Sequence, residues 1–282
     1  MRFTKMHGIG NDYVYVNCFE EKAENPERIS EFISDRHFGI GADGLVLIMP
    51  SDKADFRMRM FNADGSEGMM CGNAARCIGK YVYDNRLTDK TEITLETKSG
   101  VKYLKLFVKD GLVDTVEVDM GTAVLKPADI PMTVGGDSFI GQPLSVNGRT
   151  YTATAVSMGN PHCVIFTDGI DALELEKTGP YFENHPCFPE RVNTEFAEIL
   201  SGNTVKMRVW ERGSGETWAC GTGACATAVA AVLNGYCKHD EEISLLLRGG
   251  KLSITYRADG RVMMRGPAAK VFDGDIDLGF LE

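Results

Sequence analysis

Long hydrophobic runs are missing. Stretches such as Leu45–Met49 fall far short of the ~20 apolar residues that a membrane-spanning helix needs, so no membrane partner is expected. The first 17 residues place Lys5, His7 and Asp12 where a secretory signal would be apolar, and a cytoplasmic location is expected. Positive charge is in deficit: 30 Lys and Arg stand against 40 Asp and Glu, a formal net charge of −10. That balance argues against a nucleic-acid partner, which needs a basic stripe. No CxxC pair occurs, and the Cys71/Cys77 and Cys220/Cys225 spacings do not suit zinc. No metal is expected. The one GxGxxG match, Gly39 to Gly44, follows a polar stretch and leads into a strand-like run. A dinucleotide fingerprint has the reverse order. No lysine has a recognisable pyridoxal phosphate context, and no cofactor is expected.

What remains is a globular chain of 282 residues, 43% hydrophobic and 25% charged, with eight cysteines. It is long enough for one large domain or two modest ones. The pattern E-x3-C-G-x2-A occurs twice, at Glu67, Cys71, Gly72, Ala75 and at Glu216, Cys220, Gly221, Ala224. Cysteine to cysteine, the offset is 149 residues, and the same offset pairs Gly10-Asn11 with Gly159-Asn160. It also pairs Met58-Arg59 with Met207-Arg208, and Asp110-Gly111 with Asp259-Gly260. Ordered, ungapped matches that include both cysteines indicate an internal duplication.

Small and apolar residues after each cysteine predict helices over 72–82 and 221–233, the second Ala/Val-rich enough to be buried. Alternating runs at 91–97, 101–108 and 112–118, and again at 243–247, 251–256 and 261–265, predict strands. Residues 122–149 read as the connection, with strand-like pieces. Each half is then one or two helices plus many mostly antiparallel strands, an α+β fold. Cys71 and Cys220 stand at equivalent helix N-termini, where the helix dipole favours a thiolate. Two such thiols presented to a shared cleft suit inversion at a carbon acid, one thiolate removing a proton and one thiol returning it. Backbone N–H groups near Gly72-Asn73 and Gly221-Thr222 can hold the carboxylate that gathers charge in the carbanion. Of five histidines, His162, two residues after Asn160, is the one expected to act. The other six cysteines are expected to be small buried hydrophobes.

The segments MHGIGNDY (6–13), FNADGSEGMMCGNAARC (61–77), SMGNPHCV (157–164), PERVNTEF (189–196) and ERGSGETWACGTGACA (211–226) together resemble the diaminopimelate epimerases, essentially end to end. The resemblance implies a cofactor-independent, two-base interconversion of LL- and meso-diaminopimelate, on the way to lysine and cell-wall peptides. It implies Cys71 and Cys220 as the base and acid, with His162 and Glu211 supporting the thiols. Asn11, Asn62, Asn160 and Asn193 fall at substrate-contacting positions. Gly72, Asn73, Gly221 and Thr222 would hold the α-carboxylate, and Glu211 with Arg212 the charged groups of a zwitterionic amino acid. Three positions depart from common family residues: Gly44 where some members have Gln, Ala74 for a frequent glycine, and Phe272 for a tyrosine that contributes to some dimers. A homodimer is expected.

The implied fold is two pseudo-symmetric halves, each a curved, mostly antiparallel sheet around a central helix, with the active site in the cleft between them. Its last strand returns to the first half, giving an N-terminal half of 1–120 plus 267–282 and a C-terminal half of 121–266. Three other readings compete. A proline or hydroxyproline type racemase of the same superfamily would use the same pair of thiols, a thiol redox protein would join them in a disulfide, and an amino-acid binder would need neither.

Overall fold

The computed structural model describes residues 1–279. The chain divides into two compact units, Met1–Asp119 with the segment from Arg265 onward, and Met120–Met264. The first carries β1 (Arg2–Gly8), β2 (Asn11–Asn17), α1 (Pro26–Ser34), β3 (Gly44–Met49), β4 (Phe56–Asn62), β5 (Glu67–Gly68), α2 (Gly72–Asp84), β6 (Glu92–Thr97), β7 (Gly100–Lys109) and β8 (Leu112–Thr122). The second carries β9 (Gln142–Val146), β10 (Arg149–Ser157), β11 (Pro161–Phe166), α3 (Leu175–Glu183), β12 (Asn193–Ser201), β13 (Thr204–Glu211), β14 (Gly215–Glu216), α4 (Gly221–Leu233), β15 (Glu242–Leu247), β16 (Gly250–Tyr256) and β17 (Arg261–Pro267); β18 (Ala269–Asp275) follows.

Shifting by 149 residues carries α1 onto α3 and α2 onto α4 without adjustment. The pairing repeats too. β1–β2 and β3–β4 are antiparallel and β2–β3 parallel; likewise β10–β11 and β12–β13 are antiparallel and β11–β12 parallel. In both units a second parallel pair follows, β4–β6 and β13–β15, before an antiparallel hairpin. The helices over 26–34 and 175–183 supply the crossovers that the β2–β3 and β11–β12 parallel pairs demand. The first strand of each half also takes an outer partner: β18 runs antiparallel to β1, and β9 to β10.

Each sheet has two buried faces. In the first unit Val14, Val16, Leu45, Leu47 and Phe61 pack with Ile29 and Ile33 of α1. The opposite face meets α2, which packs on β1 and β7. In the second unit Cys163, Ile165 and Phe196 pack with Leu175 and Phe182 of α3. The other face wraps α4, which touches β10, β11, β12, β13, β15 and β16. Nearly every residue of α4 is buried, as its Ala/Val content demands. Gly79 lets α2 approach the sheet, because a Cβ there would stand 2.8 Å from Leu106 Cδ2. No helix among the described residues is long and apolar enough to cross a membrane.

Candidate active site

Strand alternation decides which side chains reach the central helices. In the second unit Cys163, Ile165, Phe196 and Trp210 pack toward α3. Their neighbours His162, Asn193, Glu195 and Glu211 therefore project to the α4 face. The 149-residue shift makes Tyr13, Gly44, Val46 and Asn62 their counterparts in the first unit. The duplicated frame thus carries an imidazole and two carboxyl groups on one copy, and a phenol, a valine and an amide at the matching positions of the other.

In the first unit Cys71 is the N-cap of α2, in extended backbone at φ −132° and ψ 120°. Its carbonyl accepts the first intrahelical bond, from Ala75 N at 2.9 Å. Its thiol donates to Asn11 Oδ1 at 3.5 Å, and Asn73 Nδ2 donates to the same oxygen at 3.1 Å. The Asn11 amide is oriented from behind, Nδ2 donating to Asp43 Oδ2 at 2.8 Å. Burial pushes the Asp43 carboxyl up, against a hydrogen bond from the Asp12 backbone. Fully buried Arg76 donates to Asn73 Oδ1 at 2.9 Å and to the Pro267 carbonyl at 3.2 Å, which fixes the first turn of α2. Asn62 is the exposed last residue of β4, its amide donating to Ser66 Oγ at 2.9 Å. At Gly44, φ is 156° and the Phe61 carbonyl oxygen stands where a Cβ would go. This backbone accepts no side chain at residue 44.

In the second unit Cys220 caps α4, and Gly223 N donates to its sulfur at 3.3 Å. Thr222 Oγ1 lies 3.5 Å from the same sulfur and accepts from Asn160 Nδ2 at 3.3 Å. Asn160 Oδ1 meets His162 Nε2 at 3.1 Å, and His162 Nδ1 meets Glu195 Oε1 at 2.7 Å. Glu211 lies beside the Cys220 thiol and accepts from Thr217 Oγ1. Buried Asn193 accepts from the Arg212 backbone N–H at 2.9 Å. Arg212 itself donates to the Glu190 carbonyl at 3.0 Å.

The electrostatics correct one expectation. A helix N-terminus favours a thiolate, yet burial, reinforced by the charge of Glu211, pushes the Cys220 thiol well above its usual value. The hydrogen bonds from Thr222 and Gly223 oppose this and lose. Burial likewise raises Glu211. Of the six remaining cysteines, Cys77, Cys163, Cys225 and Cys237 are buried, while Cys18 and Cys187 are half-buried. Burial takes Cys77 up to about 11. Among the described residues no group of three or more His, Cys, Asp or Glu could hold a metal ion.

Sequence reasoning missed Glu195, Thr217, Asp43 and Arg76. Glu195 sits inside the motif PERVNTEF, and its alternation within a strand flanked by apolar residues was the available signal.

A family model described as diaminopimelate epimerase matches residues 3–126 and 154–271. The diaminopimelate epimerase of Agathobacter rectalis is 58% identical over 286 residues, covering 99% of this chain and 100% of its own length. That of Acetivibrio thermocellus is 56% identical over 282 residues, covering 100% of both. Among solved structures, a phenazine biosynthesis protein of the PhzF family from Bacillus anthracis superposes with a TM-score of 0.73 at 16% identity, over 99% of each chain. A probable proline racemase from Agrobacterium radiobacter gives 0.74 at 13% identity, over 98% of this chain and 93% of that one. At such identities these structures speak for the fold alone.

Proposed function

The chain belongs to the diaminopimelate epimerase family, and from that premise we propose that it interconverts LL- and meso-diaminopimelate by two-base proton transfer at the α-carbon. The reaction is an isomerisation on the way to lysine. One observation carries the mechanistic part: cysteines cap equivalent helices in two repeats of one fold, and each thiol is hydrogen-bonded to a polar side chain.

Inverting a stereocentre takes a base for one face and an acid for the other, with the roles exchanged in the reverse direction. Cys71 and Cys220 are the two groups that the duplication supplies. A thiolate removes the α-proton and the other thiol returns one. The helix N-terminal N–H groups at Gly72-Asn73 and Gly221-Thr222, which lack intrahelical acceptors, bind the carboxylate as it gathers charge. Glu211 takes the proton of the Cys220 thiol when that sulfur acts as base; His162 orients Asn160 beside it. Asn11, Asn62, Asn160, Asn193 and Arg212 are assigned to the zwitterionic substrate. Asn11 and Asn160 have the best support, since both belong to the hydrogen-bond clusters around the sulfurs.

The test is α-proton exchange. Reduced protein incubated with LL-diaminopimelate in D2O is expected to lose the α-C–H signal while the meso isomer appears. Cys71→Ala and Cys220→Ala are each expected to abolish inversion. No exchange with free thiols would sink the substrate assignment, and the same assay on proline and hydroxyproline would decide the rival racemase reading.

A homodimer and a cytoplasmic location belong to this reading. Val271 and Phe272 are exposed on β18 and offer an apolar edge to a second copy. Sedimentation equilibrium is expected to give twice the chain mass, and Phe272→Glu to shift it toward the monomer.

A further inference from the structure

Glu195 has no role in the mechanism above, yet its environment is exacting. Its side chain and that of His162 are both fully buried, 2.7 Å apart. Its Oε2 has no hydrogen-bond partner, and its Oε1 stands where a Cβ on residue 223 would go, beside the sulfur of Cys220. A buried carboxylate with an orphaned oxygen is costly unless the pair it belongs to is neutral.

The hydrogen-bond chain settles where the protons stand. Asn160 Nδ2 is turned to Thr222, so its Oδ1 faces His162. An amide oxygen only accepts, and Nε2 of His162 must therefore carry a hydrogen. One further proton then lies between Nδ1 and Glu195 Oε1, whichever atom holds it, and the pair is neutral. Every donor in the chain now runs the same way: Nε2–H to Asn160, Nδ2–H to Thr222, and the Thr222 hydroxyl hydrogen, left free by that acceptance, to Cys220 Sγ at 3.5 Å. An ionised Glu195 beside a neutral His162 would place the ring hydrogen on Nδ1, turn the Asn160 amide over and draw the Thr222 hydrogen away from the sulfur.

We propose that Glu195 is a positioning residue, which shares one proton with His162 and so fixes the direction of the hydrogen-bond chain that ends on Cys220. The kinetic part of its test rests on the epimerase reading; the spectroscopic part does not.

The experiment compares wild type, Glu195→Gln and Glu195→Leu, with histidine 15N-labelled and the His162 resonances assigned from a His162→Gln variant. Wild type is expected to show a protonated Nε2. Glu195→Gln can donate its amide hydrogen to Nδ1 and keep Nε2–H, so its kcat is expected to stay within a few-fold of wild type. Glu195→Leu leaves Nδ1 without a partner and releases the ring. Its kcat is expected to fall by about 10- to 100-fold, the scale of a small misplacement at a reacting group, with KM little changed and the His162 signals shifted. A bare Nε2 in wild type overturns the proposal. So does a folded Glu195→Leu variant with wild-type kcat and ring signals, or a Gln variant as impaired as the Leu one. Should the Leu variant not fold, the wild-type ring signals and the Gln kinetics still decide. If wild type itself exchanges no α-proton, the epimerase reading falls while the ring measurement stands.

Discussion

The two cysteines share a backbone position but not a chemical setting. Cys71 faces an amide oxygen, held by Asp43 through Asn11. Cys220 sits beside Glu211 and the Glu195–His162 pair, and it is buried. Its raised value means that the thiol is the form present at neutral pH and that thiolate appears only as pH climbs past the usual value of 9.0. Alkylation of Cys220 is therefore expected to be slow at neutral pH and to accelerate in alkali. Glu211→Gln removes a negative charge from beside the sulfur, so the alkylation profile of Cys220 is expected to move to lower pH, as read by mass spectrometry of the labelled peptide. The same substitution removes the proton acceptor, and kcat is expected to fall by about 10²-fold or more. Faster alkylation with slower turnover separates this role from simple destabilisation, which would not shift the profile downward. The cysteine positions were legible in the sequence because a cap is set by the residues next to it. The proton preference of Cys220 was not, because it depends on burial and on Glu211, which reaches the sulfur from another strand.

At the scale of elements, the duplication allows one copy to be checked against the other. After α4 the chain turns through Gly235 at φ 78°, and Tyr236 N donates back to the Ala231 carbonyl at 2.9 Å. After α2 the same turn is made by Arg86 at φ 62°, with Leu87 N donating to the Val82 carbonyl at 2.9 Å. Arginine pays a steric penalty in left-handed backbone that glycine does not. Arg86 is exposed and makes no ion pair among those described. Arg86→Gly is thus expected to stabilise the protein by about 0.5–1 kcal/mol, a rise of a few degrees in the thermal midpoint by calorimetry. An unchanged or lower midpoint would show that the turn is not strained. The helices expected over 72–82 and 221–233 run over 72–84 and 221–233. The sequence did not place α1 and α3. Their apolar faces are narrow, with Ile29 and Ile33 in one and Leu175 and Phe182 in the other, and what calls for them is the parallel pairing of strands distant in sequence.

At the scale of the whole molecule, each half is completed by a strand that follows the other half in the chain: β9 lies beside β10, and β18 beside β1. Thr4 Oγ1 donates to Asp273 Oδ1 at 2.7 Å and Phe3 packs edge-on against Phe272, so β18 is bound by side chains as well as by its ladder. A chain ended after Pro267 leaves the outer edge of β1 unpaired, a template for aggregation. The loss is expected to be several kcal/mol, a fall in the thermal midpoint on the order of 10 °C, with light scattering rising on heating. A truncated protein that melts like the full chain would remove β18 from the first unit's stability. The sequence by itself determined the duplication, the α+β class, the two capping cysteines and the family, because these are written in spacing, periodicity and contiguous motifs. Only the tertiary structure decided the partner strands at the outer edges and the asymmetry between the thiols. Ladder pairing and the field at a buried sulfur are set by groups that lie tens of residues away along the chain and become neighbours only on folding.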